Sequence, residues 1–127
     1  MSNLSRRQFM ASAAAASAAV TFPSTARSRM AADDVNMGFI SCGGRAGQHM
    51  PMFDDLDGVN IAGLCDPDEN RLGKAQTRYP GATGYADLRS LIDDASVDAV
   101  VVATCNHWHC LASIWAMEAG KDVYVEK

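Results

Sequence analysis

Apolar residues fall along this chain in two alternating arrangements, short unbroken runs and stripes at helical spacing. Val35-Asn36-Met37-Gly38-Phe39-Ile40 reads as a short buried strand leading into a glycine-containing turn. Val59 to Cys65 (V-N-I-A-G-L-C) is a second such run. Val97 to Thr104 contains Val100-Val101-Val102, the nearly continuous apolar stretch of a parallel strand covered on both faces. Asp122-Val123-Tyr124-Val125-Glu126 closes the series, and Ala82 to Tyr85 supplies a short edge strand. Helices fill the gaps. Pro67-Asp68-Glu69 opens one, with Asp66 as its N-cap and Leu72, Ala75 and Tyr79 on one face. Asp87 caps a short helix carrying Leu88, Leu91 and Ile92. The clearest helix places Trp108, Leu111, Ala112, Trp115 and Ala119 at helical spacing, with Gly120 as its C-terminal stop. A first helix begins after Gly44, and Pro51 inside it is expected to kink or shorten it. Strand-helix alternation at this spacing predicts an α/β fold, a Rossmann-type doubly wound parallel sheet with right-handed crossovers.

The first residues do not share this pattern. Ser5-Arg6-Arg7-Gln8-Phe9-Met10 precedes an Ala/Ser run from Ala11 that closes with Val20. A short basic region, a weakly apolar segment and then small residues make the layout of a secretory signal. Phe9 to Phe22 is shorter than the about 20 residues a membrane-spanning helix needs. The letters S-R-R-Q-F-M resemble the twin-arginine export motif, with Met and no Lys where that motif has Leu and Lys. Ser24-Thr25-Ala26 offers small residues for cleavage after Ala26. The division expected is a twin-arginine signal over 1–26, a linker over 27–34 and a nucleotide-binding domain over 35–127. Export would place the protein in the periplasm.

Composition adds mainly exclusions. The 127 residues carry 11 Lys+Arg against 15 Asp+Glu, a formal charge of −4 with no basic tract, which argues against nucleic-acid backbones as partners. With 48% apolar and 20% charged residues the chain is an ordinary globular one. Its four cysteines, Cys42, Cys65, Cys105 and Cys110, lack C-x-x-C spacing and are read as unpaired. Folding in a reducing cytoplasm before export fits that reading.

Chemistry concentrates at two places. Ser41-Cys42-Gly43-Gly44-Arg45-Ala46 stands where a dinucleotide fold places G-x-G-x-x-G/A. Gly43 would let the backbone approach a pyrophosphate, Ala46 permits tight helix-strand packing, and the helix start offers free N–H groups. Ser41 replaces the first glycine, so on these letters alone a ligand-free glycine turn stands beside the phosphate reading. Asp66 ends the second strand about 20 residues further on, the place of the acid that accepts hydrogen bonds from the adenosine ribose. It would also serve as a helix cap, and both roles fit one carboxylate. A carboxylate there repels a ribose 2′-phosphate, which favours NAD over NADP. The second place is Ala103-Thr104-Cys105-Asn106-His107-Trp108-His109-Cys110, at the end of the strongest strand. Two His and two Cys there suggest zinc, but consecutive residues opening a helix cannot all converge on one ion, so no metal is expected. The alternative is a loop beside the cofactor, with Asn106 toward the nicotinamide half and Trp108 buried in the core, or capping groups and core aromatics with no ligand at all.

Taken in order, G-F-I-x-C-G-G-R, L-C-D, Y-A-D-L-R-S-L-I-D-D, V-D-A-V-V-V-A-T, N-H-W-H and V-Y-V-E-K resemble the Gfo/Idh/MocA oxidoreductases, relatives of glucose-fructose oxidoreductase and inositol dehydrogenase. The resemblance covers about residues 35 to 127. It implies cofactor contacts from Cys42, Gly43, Gly44, Arg45, Ala46, Asp66, Thr104, Asn106, His107, Glu126 and Lys127. It also implies a catalytic role for Lys127, which matches the lysine of the family's E-K-P segment. The family's T-P-N appears here as Thr104-Cys105-Asn106. Family members continue into a C-terminal α/β substrate domain with the sugar pocket and a catalytic histidine, so the chain is expected to be truncated before that domain and silent alone. The implied function is the nucleotide-binding part of an exported NAD(P)-dependent oxidoreductase acting on a sugar or polyol, homo-oligomeric at full length. The alternatives are an NAD-dependent glycoside hydrolase of the same family and a non-catalytic nucleotide-binding module.

Overall fold

The computed structural model describes residues 34–127; the export-signal segment and nearly all of the linker lie outside the described residues. Five strands alternate with four helices. These are β1 (Val35–Ile40), α1 (Gly44–Asp54), β2 (Val59–Cys65), α2 (Glu69–Arg78), β3 (Thr83–Tyr85), α3 (Leu88–Asp93), β4 (Ala99–Val102), α4 (Asn106–Glu118) and β5 (Asp122–Val125). The strands form one sheet in the order β3-β2-β1-β4-β5, every pairing parallel. The order reverses beside β1, so the ends of β1 and β4 flank the crevice where ligands bind in open α/β sheets.

Alternation along the strands feeds two separate cores. Met37, Phe39, Leu64 and Val101 pack under α1 and α2. Ile40, Cys65, Val100 and Val102 face α3 and α4 on the other side. A sheet covered on both faces explains the unbroken apolar run of β4, whose four residues are all buried. On the α3 side, Gly38 and Gly63 lie opposite each other in the β1–β2 register. A β-carbon on Gly38 would come within 2.8 Å of Leu91 Cδ2, and one on Gly63 within 3.2 Å of Leu91 Cδ1. The two glycines therefore form a socket for Leu91, which is fully buried.

Three expectations are corrected by the structure. The N-cap of α2 is Asp68, whose side chain accepts the N–H groups of Asn70 and Arg71, and not Asp66. Asp66 has another use, described below. Pro51 lies inside α1, and the helix runs past it to Asp54, where the Asp55 N–H reaches the Pro51 carbonyl at 3.1 Å. Packing outweighs the missing donor there, with Met50 buried and the Phe53 ring edge-on to Phe39 at 5.7 Å. Trp108 is 36% exposed rather than core. Ala112 and Ala116 are the buried residues of α4, and Trp108, one turn earlier on the same line, lines the groove instead. Strand β4 is also shorter than the run 97–104. The Asp87 cap of α3 and the stop at Gly120, which has φ +78°, are as expected. All four cysteines are unpaired.

Candidate functional site

Every strand ends on the same edge of the sheet, and the candidate residues follow those ends. After β1 the chain turns sharply at Ser41, whose φ is +92°, a left-handed conformation that favours glycine. The Ser41 N–H donates to the Cys65 carbonyl at 2.8 Å, tying this turn to the end of β2. Gly43 then caps α1 with no side-chain hydrogen bond, so the helix start is left to backbone N–H groups and the positive end of the helix dipole. Gly44 has φ +45°, and Ala46 is fully buried against the sheet, which lets the helix sit close. A β-carbon on Gly43 would lie 3.2 Å from Arg71 Cδ and Nη1, so Arg71 lies across the turn.

Asp66 is 3% exposed. One carboxylate oxygen accepts the Cys42 N–H at 2.8 Å and the other accepts the Asp68 N–H at 2.9 Å. The side chain is thus a brace between the glycine turn and the β2–α2 turn. It also borders a groove of about 420 Å³ whose walls include Ser41, Arg71, Arg89, Thr104, His107 and Trp108. Arg89 is fixed at this rim, its guanidinium 4.6 Å from the Trp115 ring centre and 3.3 Å from Asp87 Oδ2. The loop after β4 is held by His109, whose Nε2 is 2.9 Å from the Thr104 carbonyl oxygen.

The expected residues separate into three groups. Asp66, Thr104 and His107 line the groove. Cys42, Gly43, Gly44, Arg45 and Ala46 make the adjoining turn and the first residues of α1, and Asn106 is exposed at the first residue of α4. Glu126 and Lys127 stand apart at the end of β5. Glu126 is 2.5 Å from His49 Nε2 and 3.6 Å from Arg45 Nε. The His49 hydrogen bond, with Arg45 adding its charge, holds the Glu126 carboxyl below the usual glutamate range. Lys127 is exposed, its N–H 3.3 Å from Glu126 Oε1. Burial, assisted by the Asp66 charge, pushes the thiols of Cys42 and Cys65 up to about 12, so neither is a nucleophile near neutral pH. Among the described residues no cluster of three or more His, Cys, Asp or Glu is arranged to hold a metal.

Sequence reasoning missed Arg71, Arg89 and His49. Arg71 sits one turn past its cap, at the i,i+3 spacing from Asp68, which is a readable signal. His49 carries no such mark, because its partner lies 77 residues away.

A glycine turn with Gly43 close to Arg71, an uncapped helix start and a buried carboxylate at the next strand end suit a dinucleotide. Residues 35–127 match the Gfo/Idh/MocA oxidoreductase family, which has an NAD-binding Rossmann fold. The chain belongs to the Gfo/Idh/MocA family. Residues 3–23 match the signal sequence of the twin-arginine translocation pathway. Among Gfo/Idh/MocA relatives, inositol 2-dehydrogenase 2 of Saccharopolyspora erythraea is 37% identical over 94 residues, covering 73% of this chain and 28% of that protein. A glycosyl hydrolase family 109 protein of Shewanella baltica is 30% identical over 155 residues, covering 99% and 34%. The structure of myo-inositol dehydrogenase from Lactobacillus casei, in complex with NAD(H) and myo-inositol, superposes with a TM-score of 0.70 at 26% identity, over 74% of this chain and 28% of that one. The chain therefore spans about a third or less of the length of these relatives.

Proposed function

We propose that this chain is the dinucleotide-binding part of an exported NAD(P)-dependent oxidoreductase that acts on a sugar or polyol, with NAD preferred over NADP. In this reading residues 1–26 direct export to the periplasm, 27–34 link, and 35–127 bind the nucleotide. The observation that carries the reading is Asp66, a nearly buried carboxylate at the end of β2, bordering the groove and bonded to the glycine turn. The turn from Cys42 to Ala46 would receive the phosphates on backbone N–H groups. Asp66 would accept the adenosine ribose on its remaining lone pairs and repel a 2′-phosphate. Thr104, Asn106 and His107 would border the nicotinamide half, with Glu126 and Lys127 toward the reacting carbon. A bound nicotinamide would supply the hydride acceptor, and the protein position and electrostatics. Glu126, kept ionised by His49 and Arg45, would fix the backbone that carries Lys127.

Titration of the chain with NAD and with NADP, followed by intrinsic tryptophan fluorescence, tests this. NAD should bind more tightly, and Asp66→Ala should weaken NAD by a factor of about 10–100 while weakening NADP less, the size of one charge-assisted hydrogen bond. Equal weakening of both would reduce Asp66 to a brace. The Shewanella relative, a glycosyl hydrolase by name, favours a second reading, an NAD-dependent glycoside hydrolase. In a turnover assay, sugar-dependent NADH formation marks the dehydrogenase and aglycone release without net NADH marks the hydrolase. Nucleotide binding with neither, in a protein that also carries a substrate domain, marks a binding module.

A further inference from the structure

The cation that sequence places on the glycine turn is Arg45, but the structure turns Arg45 away. Its Nη1 donates to Gln48 Oε1 at 2.9 Å and its Nε lies 3.6 Å from Glu126 Oε2. The guanidinium that lies over the turn comes from the neighbouring helix α2. Arg71 leaves the first turn of α2, where Asp68 caps the helix by accepting the Asn70 N–H at 2.9 Å and the Arg71 N–H at 3.4 Å. Arg71 then crosses to Gly43, with Nη1 at 3.2 Å and Nε at 3.4 Å from the place a β-carbon would take. Two fixed points hold this approach. Asp66 ties the Cys42 N–H of the turn to the Asp68 N–H at the α2 cap, and Asp68 Oδ2 is 3.4 Å from Arg71 Nε. The side chain is 59% exposed, so a guanidinium with five N–H donors keeps most of them facing the groove mouth and solvent.

We propose that Arg71 is a phosphate-binding residue of the dinucleotide site, closing on the cofactor's pyrophosphate from the side opposite the α1 amides. The inference rests on the dinucleotide reading above. An anion seated at the start of α1 meets backbone N–H groups below and the Arg71 fork above, a charge-assisted and geometrically matched pair. The contact with Gly43 selects the pyrophosphate over a ribose phosphate, because the ribose end of the groove is marked by the Asp66 carboxylate, which disfavours a second anion there.

The test compares the full chain with Arg71→Ala and Arg71→Lys by calorimetric titration of NAD, NADP, ADP and adenosine at two salt concentrations. Arg71→Ala should weaken NAD, NADP and ADP alike, by about tenfold. It should leave adenosine unchanged and flatten the salt dependence. Arg71→Lys, which keeps charge but loses the fork, should recover part of the loss and most of the salt dependence. A loss confined to NADP would assign the guanidinium to a 2′-phosphate and overturn the proposal. A loss shared by adenosine would assign it to the base and overturn the proposal equally. Unchanged binding of all four ligands by both variants overturns it while leaving the dinucleotide reading intact. If the unmodified chain binds none of the phosphate-bearing ligands, the dinucleotide reading fails and the Arg71 role with it.

Discussion

Ser41 carries a backbone conformation built for another residue. At φ +92° a side chain crowds its own backbone, at a cost of about 1–3 kcal/mol for a non-glycine residue. The turn keeps that shape because the Ser41 N–H is bonded to the Cys65 carbonyl on one side and Asp66 holds Cys42 on the other. Ser41→Gly should therefore raise stability by about 1 kcal/mol, after the extra freedom glycine gives the unfolded chain is subtracted. Thermal unfolding of the two proteins side by side measures it, and an unchanged or lower midpoint would show the turn to be relaxed. At this scale the sequence displays chemistry but not direction. Ser41 stands out as the replaced glycine and Asp66 as the acid at the strand end. Yet Asp66 and Asp68 both precede the same helix, and only the backbone path determines which one caps it. Arg45 and Arg71 likewise look equivalent as letters, and tertiary contacts decide that one faces Glu126 and the other the glycine turn.

At the level of elements, the strands and helices follow from the apolar pattern because each buried face is continuous. β1 and β2 run over the residues expected, and α3 begins at its Asp87 cap. Two features escaped the pattern for one reason, that packing partners are remote in sequence. A glycine in a strand ordinarily weakens it, but Gly38 and Gly63 are the floor on which Leu91 rests. In α4 the small residues Ala112 and Ala116 face the sheet, so the large ones flank the contact instead of filling it. Gly38→Ala places a methyl group within 2.8 Å of a fully buried leucine and should destabilise by about 1–3 kcal/mol. Urea unfolding would show this, and pairing it with Leu91→Ala should yield less than the two separate losses combined, since the second change removes the clash. Additive losses would place the damage elsewhere in the strand.

For the whole described domain, the ionisable groups set limits on both sides of neutrality. Hydrogen bonds from Tyr85 and Ser96 hold the Asp94 carboxyl at about 2, against an ordinary 3.8. His49 holds Glu126 low in the same sense. The unfolded chain takes up these protons first, so their contribution is complete above about pH 4.5 and is lost as pH falls toward 2. The buried thiols of Cys42 and Cys65 act in reverse. Their ordinary value is 9.0 and in the fold it is about 12, so the unfolded chain ionises first and stability declines as pH rises from 9.0 toward 12. Unfolding midpoints measured from pH 2 to 11 should form a plateau between about 5 and 9 with a fall on either side. Replacing both cysteines with alanine should soften the alkaline fall alone. An alkaline limb unchanged by that replacement would exclude the thiols as its cause. The doubly wound parallel sheet was legible in the order of apolar runs, since right-handed crossovers leave few alternatives. The clasp of His49 and Glu126 was not, because it joins α1 to the far strand across the sheet.

On the proposed reading, the brace at Asp66 restricts how the choice of nucleotide can change. In dinucleotide folds the residue at the end of the second strand meets either a ribose hydroxyl or a 2′-phosphate, so an exchange there is the direct way to trade one cofactor for the other. Here that exchange would also strip two backbone amides of their only described acceptor, so the first step of such a trajectory would cross a trough in stability. Drift in preference would have to begin elsewhere on the groove wall and leave the carboxylate beneath it as a fixed inheritance.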